Sequence, residues 1–274
     1  MSLYIASLNS GSNGNCYYVG SKTDAVLVDV GISCRETEIR MKQLQLDIKK
    51  VKAIFISHEH TDHIKGVSVL SNKYSIPVYI TDATAKSLRL IKHLSKPFVA
   101  NNPVQIGELL ITPFSKQHDA ADPHSFIVSY NKITVGVFTD IGTVCNNLIH
   151  YFTQCHAAFL EANYDEEMLE NGGYPLHLKN RIRGNEGHLS NKQAVELFIN
   201  HRPKALSHLI LSHLSKENNS PQLAASLFEY HANETKIIVA DRYSATQVFE
   251  INNPELHTPM PTAKNTKPQQ MVLF

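Results

Sequence analysis

Apolar positions along the chain fall in short runs separated by polar turns, not in long stripes. Residues 3–8, 16–19, 25–28 and 51–56 have the length and the β-branched or aromatic content of strands. So do 78–80, 109–114, 125–130, 133–138, 157–160, 205–211, 237–240 and 247–251. Asn131-Lys132 between two of these runs predicts a hairpin turn. Between the strands lie helical patterns. Residues 35–46 place Ile39, Met41, Leu44 and Leu46 towards one side, and 64–74 reads as one helix. Asp82 is set to N-cap a further helix with Leu88, Ile91 and Leu94 on one face. Ser190 and Gln193 form a capping box before 194–200, and Ser220-Pro221 fit the N-cap and first turn of a helix through His231. Strand runs interleaved with helices predict an α+β architecture, sheets packed together with helices outside. After Ile251 the pattern stops. Residues 252–274 form an extended Pro-rich tail ending in Met271-Val272-Leu273-Phe274, so the expected folded domain is 1–251.

Composition narrows the classes. The chain has 274 residues, 42% apolar, with a formal net charge of +1. That is globular composition, large enough for a core without covalent staples. No apolar run approaches the ~20 residues of a membrane helix, and the first residues carry no basic, apolar leader. A cytoplasmic protein with no membrane partner is expected, its four cysteines reduced and without a C-x-x-C pair. The near-zero charge removes a globally basic surface but not a local basic channel. Fifteen histidines are the one unusual count, and histidine is the commonest metal ligand.

The histidines are not scattered evenly. Ser57-His58-Glu59-His60-Thr61-Asp62-His63 follows an apolar strand and precedes a helix. His58 and His60, two apart, can converge on one ion, and Asp62 and His63 can serve a second. His118, Asp140 and His213 each sit just past an apolar run, so a sheet could bring them to one edge. Glu161 and Asn163, after 157–160, could line the same place. The turn 10–15, with Ser12, Asn13 and Asn15, offers amides and small polar groups for a phosphate. Lys179, Arg181 and Arg183 could meet a nucleic-acid backbone.

These motifs together resemble the metallo-β-lactamase superfamily, whose H-x-H-x-D-H signature is His58 to His63 here. Ser10-Gly11-Ser12-Asn13-Gly14-Asn15, His118-Asp119-Ala120-Ala121-Asp122-Pro123, Gly187-His188-Leu189-Ser190-Asn191 and His213-Leu214-Ser215 are similar to motifs of its YycJ/WalJ-type, exonuclease-like branch. The last two are also similar to those of its tRNA-processing nucleases. The resemblance spans 1–251 and implies a four-layer αββα sandwich with two divalent ions, Zn, Mn or Fe, at the edge between the sheets. It implies His58, His60 and His118 on one ion, Asp62, His63 and His213 on the other, and Asp140 between them. Asp29 matches the family's acidic strand-end residue and would orient a ligand from behind. The implied activity is that of a 5′→3′ DNA exonuclease, with a bridging hydroxide attacking phosphorus. Asp62 would orient or deprotonate that water, and His188 would steady a phosphoryl oxygen or protonate the leaving group. The 73 residues from Asp140 to His213 leave no room for the large cap domain of other nucleic-acid-processing branches.

Two other readings remain open at this point. One is a small-molecule hydrolase of the same fold, a thioesterase, lactonase or cyclic phosphodiesterase. The other is a non-catalytic regulator with a structural metal. A basic groove leading to the metals would favour nucleic acid, and a closed apolar pocket a small substrate. The terminal Gln270-Met271-Val272-Leu273-Phe274 resembles the peptides with which bacterial replication and repair proteins bind the sliding clamp. Gln270, Met271, Leu273 and Phe274 would then be partner-binding residues, tethered by the Pro-rich tail.

Overall fold

The computed structural model describes residues 2–253. The tail's terminal peptide, with Gln270, Met271, Leu273 and Phe274, lies outside the described residues. In chain order the first half runs β1 (Leu3–Asn9), β2 (Cys16–Gly20), β3 (Ala25–Val28), α1 (Cys34–Gln43), β4 (Val51–Phe55), α2 (Thr61–Ile64), α3 (Val67–Tyr74), β5 (Val78–Tyr79), α4 (Asp82–Ala85) and β6 (Ser95–Lys96). The second half follows with β7 (Val104–Ile106), β8 (Leu109–Ser115), β9 (His124–Tyr130), β10 (Ile133–Phe138), α5 (Asn146–Phe152) and β11 (Ala157–Glu161). It continues through α6 (Glu166–Asn171), α7 (Leu176–Arg183), α8 (Asn191–His201), β12 (His208–Ser212), α9 (Pro221–Glu229), β13 (Lys236–Val239) and β14 (Phe249–Ile251).

Two seven-stranded sheets result, β14-β1-β2-β3-β4-β5-β6 and β13-β12-β11-β10-β9-β8-β7. They follow one plan. In each, the chain enters by antiparallel hairpins and then turns parallel, at β3–β4 in the first and at β10–β11 in the second. Parallel neighbours need crossovers, and α1 and α5 supply them. Period-two alternation divides each strand between two cores. Tyr17, Val19, Phe55, Phe126, Val135, Phe159 and Ile210 point between the sheets. Tyr18, Leu27 and Ile54 point outwards under Met41 of α1 and Leu70 of α3. Phe138, Leu160 and Leu211 point outwards under Leu148 of α5, Phe198 of α8 and Phe228 of α9. Helix, sheet, sheet, helix is thus the layering, an α+β sandwich. No helix among the described residues is long and apolar enough to cross a membrane.

Local signals decide many boundaries. Ser33 caps α1, and Ser190 with Gln193 forms both halves of the capping box of α8. Asn131 and Lys132 turn the β9–β10 hairpin with φ of 46° and 63°, the pair of positive values a two-residue hairpin needs. Elsewhere tertiary demands override the pattern. The helix expected over 64–74 breaks at Gly66, whose backbone lies so close to Ile32 O that a Cβ would come within 2.0 Å. The helix expected from Asp82 through Leu94 is capped by Thr81 instead and ends at Ala85. Leu94 O accepts the Val78 amide at 2.8 Å, which draws this segment into the sheet edge as β6. The short strand β7 and the helices α5, α6 and α7 carried too little periodicity to be read beforehand. The strand expected over 205–211 begins only at His208.

A glycine ties the fold to the histidine loop. A Cβ on Gly31 would lie 1.6 Å from the carbonyl oxygen of Asp62. No side-chain rotation can relieve a backbone clash. Gly31→Ala should therefore push the 58–63 loop outwards and destabilise the protein by about 1–3 kcal/mol, the usual cost of overpacking. A urea midpoint equal to that of the native chain would contradict this.

Candidate metal centre

The parallel halves of both sheets direct their C-terminal strand ends to one edge, the end of such sheets where ligands bind. Asp29 follows β3, Ser57 and His58 follow β4, His118 follows β8, Asp140 follows β10, Glu161 ends β11 and His213 follows β12. Asp29, Asp140 and His213 have φ of 59°, 55° and 57°. These left-handed conformations are sparsely populated by non-glycine residues and persist where the surroundings hold them. Here each marks the point where a strand stops and its next side chain enters the shared edge.

The groups that meet there form overlapping clusters. His58, His60 and His118 offer ligand atoms within 4.8 Å of one another, and so do Asp62, His63 and His213. His58, His63 and Asp140 make a third such set that links the first two. Asp140, Glu161, His188 and His213 make a fourth. Ring centroids of His58 and His63 are 4.1 Å apart, and those of His58 and His118 are 4.9 Å apart.

Four of the histidines, His58, His63, His118 and His213, are oriented from behind through Nδ1. His63 Nδ1–H donates to Asp29 Oδ2 at 2.7 Å. Ser57 Oγ–H donates to the same oxygen at 2.7 Å and accepts from His58 Nδ1–H at 2.9 Å. His118 Nδ1–H donates to Gly187 O at 2.9 Å. His213 Nδ1–H donates to Glu161 Oε1 at 3.0 Å. Four rings thereby present Nε2 to the interior, the arrangement by which outer partners set the tautomer of metal-binding imidazoles. His58 Nε2, His118 Nε2 and Asp140 Oδ2 are buried without a hydrogen-bond partner. His63 Nε2 lies 3.2 Å from Asp140 Oδ2 but out of hydrogen-bond alignment. Buried polar atoms are ordinarily paired, so a convergent unpaired set of nitrogen and carboxylate donors fits divalent cations.

Electrostatics divides the imidazoles. Burial pushes His58 well below the usual histidine range and His118 down to about 4, so both stand neutral, as ligands must. Burial also opposes charge on His63 and His213, but Asp140 outweighs it. Asp140, with Asp62 and Asp29, raises His63, and with Asp62 and Glu161 it brings His213 up to about 10. Burial works against a charged Glu161, yet His188 and His213 hold it down to about 2. Burial likewise opposes charge on Asp62, which His63 and His213 nevertheless keep below the usual carboxylate range. The carboxylates thus favour protons on His63 and His213 where no cation is bound.

The remaining sequence-derived candidates are distributed more widely. Asn15 is buried, and its Nδ2 stands 3.1 Å from His63 Nε2 and 3.2 Å from Asp62 Oδ2, which places it against the histidine–carboxylate cluster and not on an outer surface. The Gly11, Gly14 and Asn15 amides are taken by Asn15 Oδ1, Gly11 O and Asp62 O, which narrows any anion nest to Ser12 and Asn13. Those two residues are exposed at the turn. Asn163 Nδ2 donates to His213 O at 2.7 Å and braces that ligand loop. His188 Nδ1–H donates to Glu161 Oε1 at 2.8 Å, and its ring is partly open to solvent. Arg183 is instead held at the end of α7 by Glu170 and Asn180. Arg181 pairs with Asp119.

Two residues at the centre carried no role in the sequence, Ser57 and Lys116, and a third, Glu161, carried only that of lining the site. Ser57 joins Asp29 to His58. Glu161, only loosely placed from the sequence, is fully buried and accepts from two imidazoles and from the Ile141 and Leu189 amides. Lys116 is buried beneath the centre, and its Nζ donates to Thr139 O at 2.6 Å, next to Asp140. The one available signal was a lysine closing an apolar strand, too common a feature to single out.

Comparison with known proteins agrees with this geometry. Residues 10–124 match the family described as the metallo-beta-lactamase superfamily. The chain is 32% identical over 264 residues to "Exodeoxyribonuclease YycJ" of Bacillus anthracis, covering 94% of this chain and 98% of that protein. It is 33% identical over 224 residues to "Exodeoxyribonuclease WalJ" of Streptococcus pneumoniae serotype 2, covering 79% and 83%. The crystal structure of the metallo-beta-lactamase fold protein YhfI from Bacillus subtilis superposes with a TM-score of 0.69 at 17% identity, over 91% of this chain and all of that one, and shows the shared fold. A sandwich whose strand ends gather unpaired imidazole and carboxylate donors, together with about a third of the aligned residues in common with two relatives matched over most of their length, places this chain among the metallo-hydrolases of the metallo-β-lactamase superfamily, in the YycJ/WalJ-type branch.

Proposed function

We propose that the chain is a metal-dependent phosphodiesterase that degrades DNA from its ends, in the 5′→3′ direction, with two divalent cations, Zn, Mn or Fe, at the centre. The observation that carries the reading is the pair of three-residue clusters linked through the buried, partly unpaired Asp140 carboxylate. A closed structural site needs four ligands, and this edge offers seven together with His188 on its open side. The names of the two near-full-length relatives support DNA as the substrate.

His58, His60 and His118 would hold one cation and Asp62, His63 and His213 the other, with Asp140 reaching both. When bound, the cations supply Lewis acidity for the phosphoryl and leaving oxygens and lower the pKa of water at the centre, so that hydroxide is available to attack phosphorus in line. The chain's own groups do the rest. Asp29, Ser57 and Glu161 keep the imidazoles aimed. Asp62, partly exposed beside His63 and His213, orients the attacking water or takes its proton. His188, locked through Nδ1 on Glu161, has Nε2 left to hold a phosphoryl oxygen or deliver a proton to the leaving oxygen. The peptide of Gln270, Met271, Leu273 and Phe274 would tether the enzyme to a sliding clamp, and unchanged clamp affinity after deletion of 270–274 would remove that role.

Incubation with 5′-labelled single- and double-stranded DNA and Mn²⁺ or Zn²⁺ should release labelled mononucleotide first. Turnover of a small ester with no attack on any DNA or RNA end would overturn the nuclease reading. His188→Ala should retain metal and lose about 10²–10⁴-fold in turnover, the range of general acid–base contributions. His60→Ala should lose metal with the fold intact. Because protons on His63 and His213 must leave before cations bind, metal affinity should rise with pH from neutral towards about 10, the region where His213 gives up its proton. Metal titrations in buffers of different ionisation enthalpy would show proton release on binding, and none would contradict the assignment.

A further inference from the structure

The same sheet edge carries a second feature beyond the metal centre. A cleft of about 200 Å³ opens past β12 and β13 against Ser10, Leu214, Lys216, Asn219, Arg242 and Tyr243. Its wall adjoins the loop that carries His213. Leu214 directly follows His213, and Ser10 Oγ accepts the His213 amide at 2.7 Å. Its volume falls below the roughly 300–1,000 Å³ of pockets that enclose a drug-sized molecule, which suits gripping part of a long ligand.

The wall after β13 is fixed by its main chain. The Ser10 amide donates to Asp241 O at 3.2 Å, and Asn13 Nδ2 donates to Arg242 O at 2.7 Å. Arg40 Nη2, from a largely buried side chain of α1, donates to Tyr243 O at 2.9 Å. The Asp241 carboxylate turns back onto the amides of Tyr243 and Ser244. These backbone groups are therefore occupied, while the side chains of Arg242, partly exposed, and Tyr243, exposed, remain to meet a ligand. Arg242 Nη2 donates to Leu214 O at 2.8 Å, and among the described residues no carboxylate ion-pairs with this half-buried guanidinium. A guanidinium has five donors, so most remain for an anion. The guanidinium lies against Gly11, at φ 126°, where a Cβ would come within 2.9 Å of Nη2. Glycine there lets it sit beside the turn that carries the Ser12 and Asn13 amides. Next along the chain, the Tyr243 ring is 68% exposed on a backbone that is already held.

With the nuclease reading as its basis, the geometry points to a nucleotide subsite in this cleft, in which Arg242 takes the backbone phosphate adjoining the reacting one and Tyr243 stacks the base attached to it. Lys216 on the rim is paired with Glu217 at 3.5 Å, so among the described residues the free cation of the cleft is the Arg242 guanidinium. The ligand class is single-stranded polynucleotide, since the base must be unpaired to lie on the ring.

Binding of a fluorescein-labelled, cleavage-resistant phosphorothioate oligodeoxynucleotide to the metal-loaded protein tests this by anisotropy. Tyr243→Ala and Arg242→Gln should each raise Kd about tenfold, in the range expected for one stacked base. Tyr243→Phe keeps the ring face and should bind like the native chain. Native-like Kd in both Tyr243→Ala and Arg242→Gln, with the native protein binding and degrading DNA, would overturn the subsite and leave the nuclease reading standing. A Tyr243→Phe variant as weak as Tyr243→Ala would overturn the stacking role. A native protein that neither binds nor degrades any polynucleotide would remove the nuclease reading, and the subsite with it.

Discussion

Asp140 is the pivot of the molecule. Its carboxylate is almost wholly buried, 3.2 Å from His63 and 3.5 Å from His213, with one oxygen lacking any hydrogen bond. A charge in that position is tolerable only with opposite charge beside it. His63 and His213 supply that charge as protonated rings, or divalent cations supply it with the rings neutral. The carboxylates raise both rings above the usual histidine range and so favour the protonated form where no cation is bound, and a bound cation would take the place of those protons. The same oxygens and nitrogens would serve both.

Assembly depends on the two sheets following the same plan. Each turns from antiparallel to parallel midway, and the parallel strands deliver their ends to a common edge. The apolar layer between the sheets, with Phe55, Phe126 and Phe159, fixes how those ends face one another. Left-handed residues at Asp29, Asp140 and His213 then bend three side chains inwards. An outer layer of Asp29, Ser57, Glu161, Asn163 and the Gly187 carbonyl holds the rings at their Nδ1 side or braces their loops. Ligand direction is thus a consequence of sheet packing, with side-chain freedom removed in advance.

The open side of the centre has a different character. His60, Asp62 and His188 are the partly exposed members, and the loops after β12 and β13 extend the edge with a guanidinium and an aromatic ring. The basic residues of α7 contribute less than their sequence suggests, because Arg181 and Arg183 are drawn onto Asp119 and Glu170. Charge counted along the chain overstates charge available to a ligand.

The fold class and the cluster from His58 to His63 were legible in the sequence. Strand runs, capping boxes and hairpin turns are local, and ligands crowded into six residues need no tertiary structure to be noticed. His118, Asp140 and His213 could be named as strand-end residues only because a family resemblance suggested that distant ends meet. What packing alone decided is of another kind. It broke the 64–74 helix at Gly66, because a neighbouring backbone occupies the space a Cβ would need. It drew Leu94 into a sheet edge, turned Asn15 inwards onto Asp62, tied Glu161 to two imidazoles and buried Lys116 beside Asp140. Local sequence encodes what a segment prefers. Which groups become one another's counter-charge depends on which strand ends share an edge, and that is a property of the packed sheets.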